Sequence, residues 1–278
     1  MHNIVQINSL QIGPGRPLAI ISGPCVIENF DITYQIAAFL KDVTRQLGLS
    51  FIFKASFDKA NRTAINSFRG PGLSQGLAVL ARIKSELGIP ILSDVHDIHQ
   101  VEAAAQVLDV IQIPALLCRQ TDLVLEVART GKVVNIKKGQ FLAPWDVANI
   151  VEKITSVSNH NILLTERGAS FGYNNLVVDF RSIPIMQSTG YPVIFDATHS
   201  VQLPGGAGTS SGGQRQYAPM LARAAVAAGA DGVFLEVHPD PERALCDGPN
   251  SLRLDTLKPL FTQLNAIHHA LLSGDQVP

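Results

Sequence analysis

Residues 18–55 read LAIISGPCVIENFDITYQIAAFLKDVTRQLGLSFIFKA and contain one strand–helix–strand unit. The runs at both ends are short, apolar and rich in Ile or Phe, which is typical of strands covered on both faces of a parallel sheet. The middle segment repeats apolar residues at helical spacing, with Asp31 predicted as the N-cap and Gly48 as the stop. This stretch therefore predicts a βα unit followed by the next strand.

The same unit recurs along the rest of the chain. The apolar runs are LAIISG ending at Gly23, SFIFKA ending at Ala55, PILSDV ending at Val95, DVIQI ending at Ile113, KVVNIK ending at Lys137, NILLTER ending at Arg167, PVIFDA ending at Ala197 and GVFLEV ending at Val237. Repetition of this unit within 278 residues favours a (β/α)8 TIM barrel over an open doubly wound sheet. We expect residues 1–278 to form a single barrel domain.

Two segments lie outside this repeat. Residues 1–17 resemble two short strands joined by a polar turn, and they predict a short N-terminal β-hairpin that closes the N-terminal end of the barrel. Residues 202–216 read QLPGGAGTSSGGQRQ. This segment is rich in Gly and Ser and too long for a connecting turn, so it predicts a mobile active-site loop.

Composition excludes several classes of protein. The chain has 46% hydrophobic residues, and its 22 Lys and Arg balance 23 Asp and Glu. Disorder is therefore excluded, and the absence of a basic excess disfavours nucleic-acid and membrane-surface binding. The three cysteines, Cys25, Cys118 and Cys246, are too few for a disulfide scaffold. With no leader and no membrane span in the sequence, we expect a soluble cytoplasmic protein.

Polar residues follow every predicted strand, where function collects in a barrel of this kind. The cations near this rim are Lys54, Lys59, Arg62, Arg119, Lys137, Lys138 and Arg167. Some could pair with Asp58, Asp94 or Glu166, and Lys138 is expected to make an outer salt bridge because it faces away from Lys137. A rim with this many cations nevertheless predicts a small polyanionic ligand.

Cys25, His199, Glu236 and Asp247 follow the first, seventh and eighth strands, which are neighbours in a closed barrel. A thiolate, an imidazole and two carboxylates form a workable set of ligands for zinc, iron(II) or manganese. The alternative is that Cys25 is a small buried hydrophobe and His199 a structural residue. Cys246 precedes Asp247, so a Cys25–Cys246 disulfide is a second hypothesis, for inactivation by oxidation.

Several of these motifs together resemble the 3-deoxy-D-manno-octulosonate 8-phosphate synthases over nearly the whole chain. They are SGPCVIEN, FKASFDKANRT, NIKKGQF, TERGASFGYNNLVVDFRS, DATHSVQLPG and FLEVHPDPERALCDGPNSL. The resemblance implies a transferase that condenses phosphoenolpyruvate with D-arabinose 5-phosphate and releases inorganic phosphate, a cytoplasmic step of lipopolysaccharide biosynthesis. It also implies a homotetramer. Cys25 in the first loop is similar to the metal-dependent branch, so the resemblance implies a divalent metal cofactor.

The resemblance also implies roles for individual residues. Lys59, Lys137 and His199 would be catalytic, and Cys25, His199, Glu236 and Asp247 would hold the metal. Phosphoenolpyruvate would be bound by Lys54, Ser56, Lys59, Gln112, Ala115, Lys137, Arg167 and His199. The sugar phosphate would be bound by Asn61, Arg62, Thr63, Asp94 and Arg119, the last from a neighbouring subunit.

Three alternatives stay open from the sequence. One is 3-deoxy-D-arabino-heptulosonate 7-phosphate synthase, which uses erythrose 4-phosphate; the stretch Lys59-Ala60-Asn61-Arg62-Thr63 favours the octulosonate enzyme, because the heptulosonate enzymes resemble KPRT there. Another is a non-catalytic sugar-phosphate-binding barrel. The third is a metal-dependent aldolase that uses pyruvate. The sequence also leaves open whether the metal polarises the aldehyde or activates water.

Overall fold

Parallel strands close into a cylinder in the computed structural model, which describes residues 3–205 and 212–274. The barrel strands are β1 (Ala19–Gly23), β2 (Ser50–Lys54), β3 (Ile91–Asp94), β4 (Val110–Ile113), β5 (Val133–Lys137), β6 (Ile162–Glu166), β7 (Val193–Asp196) and β8 (Gly232–His238). Each strand pairs with the next in the sequence, and β8 returns to β1 with Gly232 opposite Ala19. The predicted (β/α)8 TIM barrel is confirmed.

A helix follows each barrel strand. The helices are α1 (Phe30–Gln46), α2 (Leu73–Leu87), α3 (Ile98–Val107), α4 (Thr121–Arg129), α5 (Val147–Thr155), α6 (Ser182–Gln187), α7 (Ala218–Ala227) and α8 (Leu257–Gly274). The predicted cap of α1 is wrong by two residues, because Asn29 has the extended backbone of an N-cap and its side chain accepts the N–H of Ile32. Asp31 lies in the first turn instead, where a carboxylate is favourable to the helix dipole.

The barrel interior has an apolar lower layer and a polar upper layer. Ile52, Leu92, Val110, Val133, Leu163, Ile194 and Phe234 belong to one buried apolar cluster. Alternation along a strand places the residue two positions later on the same face, and these residues are Lys54, Asp94, Gln112, Asn135, Thr165, Asp196 and Glu236. The carboxyl ends of the strands therefore project polar groups into one common space.

The N-terminal segment closes the opposite end of the barrel. Val5–Ile7 and Leu10–Ile12 form an antiparallel hairpin, as predicted. Its buried residues Val5, Ile7 and Ile12 pack in the same cluster as the lower layer of the barrel. The hairpin thus covers the apolar layer at this end, whereas the polar groups lie at the other end of the barrel.

Three further short pairings belong to the loops. Ala169–Ser170 pairs with Leu176–Val177, Gln202–Leu203 pairs with Gly212–Gly213, and Leu252–Arg253 extends beside β8. The predicted mobile loop at 202–216 includes residues 206–211, which lie outside the described residues, so its mobility stays a prediction. No helix in the described ranges is both long and apolar enough to cross a membrane.

Candidate active site

A cavity of about 470 Å³ opens at the carboxyl end of the barrel. It is lined by most of the predicted site residues, namely Lys54, Lys59, Asn61, Arg62, Thr63, Asp94, Gln112, Ala115, Lys137, Arg167, His199, Glu236 and Asp247. These residues come from loops and strands that are far apart in the sequence. Closure of the barrel therefore brings the predicted phosphate-binding and metal-binding residues together.

The floor of the cavity contains a buried ion pair between β2 and β8. The ammonium of Lys54 lies 2.6 Å from Glu236 Oε1, and the two side chains are 1% and 0% exposed. Lys54 also donates to the carbonyl oxygen of Cys25. A Cβ on Gly23 would lie 1.9 Å from the Lys54 carbonyl oxygen, so only glycine allows β1 to approach β2 this closely. The pair holds the Cys25 loop against the barrel mouth.

Asp196 at the end of β7 connects two predicted catalytic residues. Its carboxylate pairs with the Lys137 ammonium and lies 2.7 Å from His199 Nδ1. Burial lowers the pKa of Lys137 to about 8 although Asp196 opposes this shift. Burial would raise the pKa of Asp196, but His199 and Lys137 outweigh it and the pKa lies well below its ordinary value. Asp196 is therefore an anion that positions a lysine and a histidine.

Two overlapping groups of side chains offer metal ligands. His199, Glu236 and Asp247 present donor atoms within 4.8 Å of one another, and so do Cys25, Cys246 and Asp247. Asp247 belongs to both groups. Its backbone has a φ of 47°, and its carbonyl oxygen accepts the N–H groups of Asn250 and Ser251, which stabilise this turn. The other three predicted ligands thus lie near Asp247, and Cys246 is an additional thiol at the same place.

The donor chemistry of this site fits a divalent cation. His199 uses Nδ1 on Asp196, which leaves Nε2 facing Glu236 Oε2 at 3.6 Å and Asp247 Oδ2 at 3.9 Å. Glu236 Oε2 is buried and has no hydrogen-bond partner among residues 3–205 and 212–274. A buried carboxylate oxygen without a partner is costly unless a cation or proton satisfies it. A carboxylate behind the histidine is also the usual support of a metal-binding imidazole.

The two thiols of this cluster are in direct contact. Cys25 Sγ and Cys246 Sγ lie 3.0 Å apart, and both residues are buried free cysteines. Burial raises the pKa of the Cys25 thiol, and the neighbouring Cys246 raises it further. Arg62 Nη1 lies 2.9 Å from Cys246 Sγ and 3.7 Å from Asp247 Oδ1. The disulfide hypothesis has the required proximity and remains a hypothesis.

A second carboxylate connects the loops after β2 and β3. Asp94 accepts the hydroxyl of Ser56 and lies 2.9 Å from His96 Nε2. Burial would raise the pKa of Asp94, but His96 and the lysines Lys59 and Lys54 outweigh it and lower the pKa. Burial lowers the pKa of His96, and Asp94 more than compensates, so the His96 pKa is raised. His96 is therefore a further basic group in the cavity wall.

Two guanidinium groups keep unused donors at the cavity. Arg167 Nη2 donates to Gln202, whereas its buried Nη1 finds no partner in the described part of the chain. The same is true of the buried Nε of Arg62. Lys59 lies 3.7 Å from Glu236 Oε1 and is 13% exposed. Buried cationic donors without acceptors are favourable sites for phosphate or carboxylate oxygens.

Three predicted residues do not line the cavity. Ser56 is buried behind it and binds Asp94, and Cys25 lies behind Cys246. Arg119 is exposed beside a separate depression lined by Leu142, Asp146, Asn149, Ile150 and Lys153. Its predicted role concerns a neighbouring subunit and stays a prediction. Lys138 lies 3.5 Å from Glu166 on the outer side of the barrel, in agreement with the expected salt bridge.

Sequence reasoning missed Asp196, His96 and Gln202 as site residues. Asp196 and His96 had a signal, since both stand at strand ends. Gln202 had only its place in the Gly-rich segment. Their roles depend on side-chain contacts between loops, which spacing along one chain does not specify.

The chain is similar to known proteins over nearly its whole length. The model of the DAHP synthetase I family matches residues 3–272. Proteins named 2-dehydro-3-deoxyphosphooctonate aldolase are 65% identical in Citrifermentans bemidjiense, covering 95% of this chain and 96% of the relative. The relative in Desulfosudis oleivorans is also 65% identical, covering 97% of each chain. The one in Syntrophotalea carbinolica is 60% identical over 99% of each chain.

Proposed function

The chain belongs to the DAHP synthetase I family, and from this membership we propose that it condenses phosphoenolpyruvate with D-arabinose 5-phosphate and water. The products are 3-deoxy-D-manno-octulosonate 8-phosphate and inorganic phosphate, and the enzyme is a transferase that forms a carbon–carbon bond. The names of the relatives favour this reaction over the erythrose 4-phosphate alternative and over a non-catalytic barrel. The reaction supplies a sugar acid for lipopolysaccharide.

One observation carries the assignment from the family to this cavity. Lys54, Lys59, Arg62, Lys137 and Arg167 all line the same space. Two of these residues, Arg62 and Arg167, keep buried donors that have no partner within the described residues. Phosphoenolpyruvate carries a phosphate and a carboxylate, and arabinose 5-phosphate carries a second phosphate. The phosphate and carboxylate groups of the two substrates are therefore suitable partners for these cations, above all for the buried guanidinium donors of Arg62 and Arg167.

Phosphoenolpyruvate binds on the side of the cavity formed by β2, β4, β5 and β6 in this proposal. Lys59, Lys137 and Arg167 neutralise its phosphate and carboxylate, and Gln112 donates a further hydrogen bond. Lys54 contributes through Glu236 and the loop backbone at Cys25, because its ammonium is already engaged there. Ser56 contributes through Asp94. Ala115 and His199 complete the lining.

The sugar phosphate binds on the side formed by the loop after β2. Asn61, Arg62 and Thr63 line this part of the cavity, and Asp94 accepts sugar hydroxyls. Arg119 adds a cation from a neighbouring subunit of a homotetramer. Orienting two bound reactants can contribute about 7–11 kcal/mol to lowering the barrier in favourable cases. Positioning is thus the main contribution of these residues.

Cys25, His199, Glu236 and Asp247 would hold a divalent metal ion, either zinc, iron(II) or manganese. When bound, such a cation would supply electrostatic stabilisation to an oxygen that gains negative charge during the reaction. Two features of the protein support such a site. Asp196 contacts His199 Nδ1 and so orients the imidazole, and Glu236 Oε2 has no hydrogen-bond partner in the described part of the chain. The four residues would hold the metal ion in the same way whether it polarises the aldehyde oxygen or activates the attacking water.

The chemical steps follow from the reactivity of the two substrates. The methylene carbon of phosphoenolpyruvate attacks the aldehyde carbon, and the adjacent carbon gains oxocarbenium character. Water adds to that carbon, and phosphate leaves by cleavage of the carbon–oxygen bond of the hemiketal phosphate. Asp196 and Glu236 are anions close to the reacting groups and favour the cationic carbon. Gln202, Pro204 and Gly205 cover the cavity and help to exclude bulk water.

The remaining features of the proposal concern the molecule as a whole. We place residues 1–278 in one catalytic domain that assembles as a homotetramer in the cytoplasm. The loop at 202–216 closes over the bound substrates. The free thiols Cys25 and Cys246 suit a reducing compartment.

A phosphate-release assay tests the reaction. Purified protein with phosphoenolpyruvate is supplied with arabinose 5-phosphate, erythrose 4-phosphate or no sugar. We expect stoichiometric phosphate and octulosonate phosphate with arabinose 5-phosphate only. Faster turnover of erythrose 4-phosphate would establish the heptulosonate reaction instead. Binding of both substrates without phosphate release, with and without added divalent metal, would establish a binding protein.

A further inference from the structure

Two polar side chains inside the barrel have no place in the cavity wall. Asn135 on β5 and Thr165 on β6 are both 0% exposed. The other polar residues at the same level of the barrel, such as Gln112, Asp196 and Glu236, line the cavity, whereas Asn135 and Thr165 do not. Buried polar groups are costly in an apolar barrel unless they are hydrogen-bonded. Asn135 and Thr165 therefore cannot bind a ligand in the cavity directly, and their role must lie in the hydrogen bonds that they make with other residues.

Their hydrogen bonds form a chain across three adjacent strands. The Thr165 hydroxyl donates to Asn135 Oδ1 over 2.6 Å. Asn135 Nδ2 then donates to Gln112 Oε1 over 3.0 Å. The chain ends at Gln112, which is 6% exposed and reaches the cavity.

The direction of this chain fixes the polarity of the last amide. Because Gln112 Oε1 accepts the hydrogen bond from Asn135, its Nε2 group is left for the cavity. Reversal of Gln112 would place two N–H groups against each other unless Asn135 also turned. Turning Asn135 would require the Thr165 hydroxyl to change from donor to acceptor, so the three groups can reverse only together. The chain as observed therefore couples the orientation of Gln112 to Asn135 and Thr165 and leaves its Nε2 toward the ligand.

We propose that Asn135 and Thr165 are positioning residues that hold Gln112 with its N–H donors toward an anionic oxygen of phosphoenolpyruvate. This inference rests on the proposed function, which it deepens by assigning the orientation of one binding group. An anionic oxygen accepts hydrogen bonds and cannot donate them, so a glutamine carbonyl turned toward it would repel it. Two buried polar residues thereby control a contact in the cavity without touching the substrate.

A double-mutant cycle tests the proposal by equilibrium binding of phosphoenolpyruvate in titration calorimetry. Thr165→Val has nearly the same shape and removes the hydroxyl, and Thr165→Ser retains it. We expect Thr165→Val to weaken phosphoenolpyruvate binding roughly fivefold, as for one lost hydrogen bond, and Thr165→Ser to bind like the wild type. In a Gln112→Ala background, Thr165→Val should have no further effect, because its action passes through Gln112.

Two outcomes would overturn the proposal. One is unchanged phosphoenolpyruvate binding by Thr165→Val; the other is an equal loss with and without Gln112. A wild-type protein that binds no phosphoenolpyruvate would instead refute the proposed function. The KM for arabinose 5-phosphate should stay within about twofold in Thr165→Val, which separates positioning from a general loss of structure.

If Thr165→Val fails to fold, Asn135→Ser gives the same comparison, because it breaks the chain and leaves room for water. Its binding loss should again vanish in the Gln112→Ala background. If the losses of affinity from Asn135→Ser and Gln112→Ala were additive, the proposed action through Gln112 would be wrong, as it would be for Thr165→Val.

Discussion

Replacement of Lys54 by methionine tests the buried ion pair on the cavity floor. The change removes the ammonium 2.6 Å from Glu236 Oε1 and keeps most of the side-chain volume. Removing one partner of a buried pair typically costs about 3–5 kcal/mol, because the other charge stays buried. Lys59 at 3.7 Å and His199 at 3.6 Å still compensate Glu236 in part, so the lower end applies. We expect Lys54→Met to lower the free energy of unfolding by about 3 kcal/mol.

The assay is thermal unfolding with a chelator present, so that no metal ion replaces the lost charge. A loss of this size lowers Tm by about 6–12 °C in a protein of this class. The matched control is Lys258→Met, which changes an exposed lysine and should shift Tm by less than about 2 °C. The double variant Lys54→Met with Glu236→Gln should recover at least half of the loss, because it leaves no buried charge unpaired.

The pH dependence of the loss gives a second check. Burial would raise the pKa of Glu236, and Lys54, His199 and Lys59 outweigh it, so the pKa is lowered. Without Lys54 the pKa rises, and Glu236 is protonated more readily. The difference in Tm from wild type should therefore shrink as pH falls from 7 toward 5. A variant as stable as Lys258→Met at pH 7, or a double variant with no recovery, would refute the reasoning.

Three further predictions concern ligands. Arg62→Ala should raise the KM for arabinose 5-phosphate roughly 10- to 100-fold and should change the KM for phosphoenolpyruvate by no more than about twofold, as measured by initial rates. Equal changes in both KM values would contradict its role in binding the sugar phosphate. Burial lowers the Lys137 pKa to about 8, so this group loses its charge as pH rises through that value, and phosphoenolpyruvate should bind more weakly at pH 9 than at pH 7 in calorimetry. A constant affinity would show that Lys137 does not bind it. Cys25→Ala should weaken Zn²⁺ affinity at least about 10-fold in competition with a chromophoric chelator, whereas Cys118→Ala should not; equal effects would exclude Cys25 as a ligand.

The fold could be predicted because the strand signals are local. Each barrel strand is a short apolar run between turn residues, and the structure places every strand within a few residues of the predicted run. The N-cap of α1 is different, since Asn29 and Asp31 are both good capping residues and the choice depends on backbone angles. The backbone geometry of the loop before α1, and not the type of residue, therefore determines that Asn29 is the N-cap.

The candidate site was predictable to the extent that barrel closure alone determines it. Residues at strand ends meet in any closed barrel, so Lys54, Lys137 and Glu236 could be placed in one cavity before their contacts were known. Pairing was not predictable in the same way. Lys54 on β2 binds Glu236 on β8 across the intervening strand β1, and Asp196 binds two basic groups, because buried charges select partners by three-dimensional distance.

The pairings also show how the proposed anion site and the proposed metal site could share one cavity. Lys54 and Lys59 both contact Oε1 of Glu236, whereas Oε2 faces His199. The same carboxylate therefore positions cations for a substrate anion through one oxygen and offers a metal ligand through the other. A cation held through Oε2 would weaken the attraction of Glu236 for Lys59, which would leave Lys59 more available to phosphoenolpyruvate. Binding of a metal ion and binding of phosphoenolpyruvate would then be coupled through one buried side chain, and each would strengthen the other.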